Sequence, residues 1–191
     1  GNTYIQYTAT PQANILISMQ DLLSPKSHTL LTPGEGYVGG KLFFGQGENH
    51  DLFNGELIRE IPADEVFHKK YNPLTEMPQS LKDALMLHTL AVAIVVKYLK
   101  VDGINYLSMM VHPDNTIDWN KTFWQWIDNE LKTWRRLMGK PDDNYDKYQL
   151  LKRFEHLYPD ALEFYDIDER PSFDVIKPLI YEVLKSKKVY L

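Results

Sequence analysis

The chain has no cysteine, so a disulfide framework, a thiolate zinc site and a cysteine nucleophile are all excluded. It is also short of positive charge: 21 lysines and arginines face 26 acidic residues, for a formal net charge of −5. That balance argues against a generally basic nucleic-acid-binding body, which needs clustered Lys and Arg against phosphates. Long apolar runs are lacking as well. The most apolar stretch, Ala84 to Leu99, is interrupted by His88, Thr89 and Lys97 and is shorter than the roughly 20 residues needed to cross a bilayer. No membrane partner is expected, no signal peptide is visible at the N-terminus, and a cytoplasmic location is the default expectation.

What is present is the composition of a folded protein. The 191 residues are 43% hydrophobic and 13% aromatic, enough for one or two cores and too apolar for a disordered chain. The charge is uneven. Residues 1–79 carry 5 basic against 9 acidic groups, and residues 80–191 carry 16 against 17. Local basic clusters stand at Lys132, Arg135, Arg136 and Lys140, and at Lys185, Lys187 and Lys188; most such runs are solvated helix faces.

Three stretches follow from the pattern. Residues 1–32 open with Tyr4 to Thr10, a β-like run closed by Pro11, and continue with the apolar run Ala13 to Met19. Tyr, Ile and Thr favour extended chain, and proline ends a ladder. Residues 33–79 hold seven glycines together with Pro62, Pro73 and Pro78, which punctuate short apolar runs and predict short strands and turns. From Ser80 the pattern turns helical. Pro78 precedes, Ser80 and Asp83 imitate a capping box, and Leu81 to Leu99 is apolar on nearly every face, the mark of a buried helix.

Beyond Gly103, Tyr106 to Val111 reads as a buried parallel strand ended by His112-Pro113. Thr116 is placed to cap the next helix. Its Trp119, Phe123, Trp126, Ile127, Leu131, Trp134 and Met138 keep helical spacing, with Gly139 as the stop. Further helices are predicted over Tyr145 to Leu157 and Phe173 to Lys185, the latter interrupted or started late by Pro178, and Lys188 to Leu191 reads as a strand. The expected fold is a mixed α/β chain: partial RecA-like lobes, a Gly-rich β insertion over 33–79, and a helical half, 80–191, opening a second α/β lobe.

Four constellations could carry chemistry. The glycine run Gly34 to Leu42 approaches a phosphate loop but is off by one residue and ends in Leu42, which cannot bind Mg²⁺. Neither Asp64-Glu65 nor Asp168-Glu169 follows the apolar run that a strand-borne acidic box requires, so no nucleotide-binding core is expected here. Pro113-Asp114 with Glu130-Leu131-Lys132 imitates a metal-dependent nuclease pattern. In this chain, however, Glu130 and Lys132 fall in mid-helix and point to different sides. His112 stands at a predicted strand end, where open α/β sheets hold ligands. The six histidines show no close pairing, so a zinc site is not expected. The aromatic stripe Trp119, Phe123, Trp126 and Trp134 could stack single-stranded bases, but its spacing favours a core face; Trp124 lies off the stripe and is the best candidate to meet a base or partner.

Tyr7 to Ile17 with its Thr8-Ala9-Thr10 corner, Leu23-Ser24-Pro25, Pro33-Gly34, Tyr37 to Gly40, Phe43-Phe44-Gly45, and Ser108 to His112 resemble successive blocks of the Z1 domain of bacterial endonuclease-like proteins. The likeness spans roughly the first 115 residues, and the last third of the chain adds no motif to it. Thr8-Ala9-Thr10 is also similar to the third motif of superfamily II helicases. The resemblance implies a fragment of an ATP-dependent DNA-handling protein of restriction or defence type, with ATP and Mg²⁺ held elsewhere in the parent chain and no catalytic residue in this one. It implies that Thr8, Ala9 and Thr10 couple nucleotide state to the motor. DNA would bind weakly on a local surface, for which His112, Arg135, Arg136 and Lys140 are the candidates. The alternative is a non-catalytic module that docks a nuclease or another partner subunit.

Overall fold

In the computed structural model the described residues are 27, 29, 31–32, 34–35, 37, 59–99, 107–163, 170–187 and 190. The chain divides into two units, Gly1–Arg59 and Glu60–Leu191. Within the first, the Tyr37 amide donates to the Gly34 carbonyl at 3.2 Å, closing a turn. The expected opening strand, the Thr8-Ala9-Thr10 corner and Gly39-Gly40 lie outside the described residues.

The second unit is helical. Four helices follow in order: α1, Gln79–Ile94, continued by a π-helical turn Val95–Leu99; α2, Ile117–Met138; α3, Tyr145–Glu163; and α4, Phe173–Ser186. Helix α1 packs against both α3 and α4, and α2 packs against α4 and α3. The shared core includes Met86, Leu90 and Ile94 of α1, Leu131 and Trp134 of α2, Phe154 of α3, and Ile176, Ile180 and Leu184 of α4.

This corrects the α/β expectation. Among the described residues the β structure amounts to a single bridge between His68 and Asn72, so neither a RecA-like lobe nor a β insertion is found there. The predicted strand over residues 107–111 has no regular structure. Met109 and Val111 nevertheless pack against the helical core, while Leu107, Ser108 and Met110 are exposed. A short apolar run records partial burial; it does not require a neighbouring strand.

The helix boundaries show where local signals were overridden. Pro78, not Ser80, is the N-cap of α1, and it makes no side-chain cap bond. Glu65 supplies the acceptors instead, its carboxylate taking the Gln79 amide at 3.2 Å and the Ser80 amide at 2.7 Å. Asp83 pairs with the Gln79 side chain at 2.7 Å rather than closing a capping box. Together with its π turn, α1 gives a 20-residue segment, Gln79–Tyr98, that is long and apolar enough to cross a membrane by length and composition. Of its apolar side chains Leu85, Met86, Leu90, Ala93 and Ile94 are buried in the core shared with α3 and α4, whereas Val96 is exposed.

Helix α3 runs past its predicted end, through Pro159, and α4 is continuous through Pro178. Each proline removes one backbone donor. Burial of Tyr158, Ala161 and Leu162 around the first, and of Ile176 and Ile180 around the second, holds the helix together on the core side. Gly139 does end α2 as expected. Asn144 caps α3, its side-chain oxygen accepting the Lys147 amide at 3.1 Å.

Candidate nucleic-acid interface

The aromatic stripe of α2 is a core face. Phe123, Ile127, Leu131, Trp134 and Met138 are buried. Trp134 meets Phe154 edge-on at 5.6 Å, and its indole N–H donates to Glu130 at 2.8 Å. Trp119 and Trp126 are half-buried beside Phe67 and Phe123. Trp124, the residue off the stripe, is also half-buried and makes contacts of its own.

The four candidate DNA contacts fall at opposite ends of α2. Twenty-two residues make a helix roughly 33 Å long, so His112, ahead of its first turn, shares no groove with Arg135, Arg136 and Lys140 at its last. At that far end most of the positive charge is engaged within the fold. The Arg135 guanidinium donates to the Leu184 carbonyl at 2.7 Å and the Lys187 carbonyl at 2.8 Å, tying down the C-terminal end of α4, where carbonyls lack helical partners. Lys140 lies 3.8 Å from Asp146, and its carbonyl accepts the Lys147 ammonium. Lys132 is paired with Asp128 at 2.6 Å. Arg136 is exposed and makes no ion pair among the described residues.

Beside Arg135 lies a polar node of a different kind. The Lys187 ammonium donates to His88 Nδ1 at 2.7 Å, and the buried His88 Nε2 has no partner among the described residues. Burial, followed by the nearby Lys187 charge, lowers the His88 pKa to about 4. Burial and the Arg135 charge lower that of Lys187 to about 8. Nδ1 of a neutral imidazole thus accepts from a weakened ammonium with no carboxylate involved.

The near end of α2 is built differently. Asp114 anchors it, accepting the Thr116 amide at 2.7 Å and the Thr116 hydroxyl, while the Asn120 side chain donates to the Asp114 carbonyl at 3.1 Å. Thr116 therefore occupies the N-cap position, with its side chain turned back to Asp114 rather than onto the helix. The Thr116 hydroxyl and amide hold the Asp114 carboxyl below its ordinary range, helped by the charges of Lys69 and His112. Lys69 and His112, distant in sequence, are both exposed and both act on Asp114. Lys69 arrives there because Phe67 is seated on Trp119 at 4.4 Å and on Phe123 at 5.9 Å.

Sequence reasoning counted Lys69 and Lys70 only as charges in an acidic half. The available signal was the run His68-Lys69-Lys70-Tyr71, two adjacent cations bracketed by rings. The nuclease-like triplet is not assembled: Glu130 lies ~20 Å along α2 from its first residue, bonded to Trp134, whereas Asp114 precedes the helix. Among the described residues no group of three or more His, Asp or Glu is arranged to hold a metal ion.

No curated protein and no solved structure is matched by the chain. The family model of the Z1 domain matches residues 80–191. The match begins where the helical body begins and covers the final third, in which no motif had been recognised. Of the blocks that carried the resemblance, Ser108 to His112 alone falls inside it. The matched segment contains all four helices, from the first full turn of α1 to the end of α4, and it is on this segment that the chain belongs to the Z1 domain family.

Proposed function

We propose that the chain is a helical, nucleic-acid-contacting part of an ATP-dependent DNA-handling protein of restriction or defence type, acting in the cytoplasm. ATP and Mg²⁺ would be held by other segments of such a protein, since this sequence has no phosphate loop and no acidic box. The observation that carries the reading is the seating of Phe67 on Trp119 at 4.4 Å, which brings the turn bearing the exposed Lys69 and Lys70 to the N-terminal end of α2. There the exposed Lys69 and Lys70 stand on a chain that is acidic overall. The resemblance of the N-terminal blocks to helicase-associated proteins supports the same reading.

Titrating the 191-residue chain into a fluorescently labelled single-stranded oligonucleotide tests it, by anisotropy at low and moderate salt. Weak, saturable binding that falls steeply with salt is expected, because each phosphate contact releases a condensed counterion. Equilibrium dialysis with labelled ATP should show no binding to this chain. A second reading, a module that docks a partner subunit, is favoured by Met110, 88% exposed on the segment leading into α2, and Ile117, 70% exposed at its first residue. Failure of the oligonucleotide to bind at low salt would put that reading first.

A further inference from the structure

The turn at residues 67–72 is held far more firmly than its own burial requires. His68 and Asn72 exchange backbone hydrogen bonds at 3.0 and 2.8 Å, closing a tight loop over Lys69, Lys70 and Tyr71. Inside it, His68 Nδ1 accepts the Lys70 amide at 3.2 Å and the Tyr71 amide at 3.1 Å. Below it, the Asn72 side chain donates to the Asp64 and Val66 carbonyls at 2.8 and 2.9 Å, and Phe67 is wedged against Trp119 and Phe123.

The residues so fixed contribute nothing to the core. Lys69 and Lys70 are exposed, and neither makes an ion pair among the described residues. Tyr71 remains 75% exposed although its ring lies 4.5 Å from that of His68 and 5.2 Å from the Lys70 ammonium. Ordering the backbone of a loop whose side chains stay exposed lowers entropy without burying apolar surface, and a loop organised in this way resembles a preformed contact.

Resting on the DNA-handling reading above, we propose that this loop is the strand contact itself: Tyr71 stacks on an unpaired base while Lys69 and Lys70 hold the flanking phosphates of a single-stranded nucleic acid. The combination selects the ligand. Two adjacent ammonium groups fit any polyanion, but a flat exposed ring is matched by a base face, and a base offers its face when it is out of a duplex. His68 acts as a positioning residue that sets the path of the Lys70 and Tyr71 backbone.

The test compares variants of the 191-residue chain by anisotropy with a labelled oligothymidylate, the same sequence as a duplex, and polyglutamate as competitor. Lys69→Gln/Lys70→Gln should weaken single-strand binding about tenfold or more and make the log–log salt dependence shallower by ~1.4, the share of two phosphate contacts. Tyr71→Leu should weaken it about fivefold or more with the salt slope unchanged, because stacking is lost while the charges stay. His68→Ala should weaken binding at unchanged slope. The control Lys152→Gln/Lys185→Gln removes two exposed cations elsewhere and should bind as the parent does.

Loop variants that bind like the parent would overturn the loop assignment while leaving the DNA reading standing. The same holds if the control loses as much as the loop variants. A parent that binds the duplex as well as the single strand, or is displaced equally by polyglutamate, would overturn the stacking contact. A parent that binds no nucleic acid would remove both this proposal and the reading it rests on.

Discussion

Glu65 sets where the helical body starts. Two amides at the first turn of α1 point at its carboxylate, so its negative charge also faces the positive end of the helix dipole. The Ser80 hydroxyl and amide, then the Gln79 amide, hold its carboxyl below the ordinary range. Glu65→Ala should lower stability by ~1 kcal/mol, the typical value of a lost N-cap, read as a lower denaturant midpoint with an unchanged slope. Sequence inspection pointed to Ser80 and Asp83 instead. A cap donated from 15 residues upstream leaves no fixed-spacing signature, whereas Asn144, adjacent to its helix, follows the ordinary rule.

His88 gives the residue scale its pH dependence. Its pKa falls from 6.5 unfolded to about 4 folded, so the unfolded chain binds the extra proton between these values. Its contribution is therefore intact above pH 6.5 and is lost as the pH drops toward 4. Lys187, lowered to about 8, acts in the alkaline window: stability rises with pH from 8 toward 10.5 as the unfolded lysine gives up its proton advantage. Thermal melts between pH 6.5 and 5 should show a steeper acid loss for the parent than for His88→Gln. The difference should be on the order of 1 kcal/mol once solvent screening is allowed for. Parallel curves would contradict the assignment.

At the scale of elements, long-period apolar patterns proved legible, whereas of the local breakers Gly139 ended its helix and Pro178 did not interrupt its own. The stripe of α2 was readable because seven large side chains keep helical spacing, and most of them are buried in the structure. Pro178 reads in sequence as an interruption or late start because it removes a donor, yet the core contacts on either side of it, as around Pro159 in α3, outweigh one missing hydrogen bond. Residues 107–111 misled for another reason: a short apolar run shows that a segment is partly covered but not whether a strand or a helix covers it. Two substitutions probe the packing so derived. Phe154→Ala should lower stability by about 3–5 kcal/mol, since the ring is fully buried against Trp134. Arg135→Met should lower it by about 1–3 kcal/mol, because it strips a charged donor from two carbonyls at the end of α4; both are read from chemical denaturation.

For the molecule as a whole, the two ends of α2 use their positive charge differently. The end with more basic residues in sequence uses Arg135, Lys140 and Lys132 for helix ends and ion pairs. The end with fewer carries Lys69, Lys70 and His112 outward. Sequence alone could count these charges but not tell engaged from available ones, because the engagement of Arg135 spans 49 and 52 residues. The family was legible; the α/β architecture attached to it was not, since short apolar runs between glycines fit strands and irregular segments equally well.

The claim that a single strand is met at the loop of residues 67–72 is tested most directly by photo-crosslinking. An oligonucleotide carrying halogenated uracil would be irradiated with the 191-residue chain and the adducts mapped by mass spectrometry. The account predicts adducts at Tyr71 and its immediate neighbours, diminished by added salt. Adducts confined to the peptide containing Arg136 and Lys140 would contradict it.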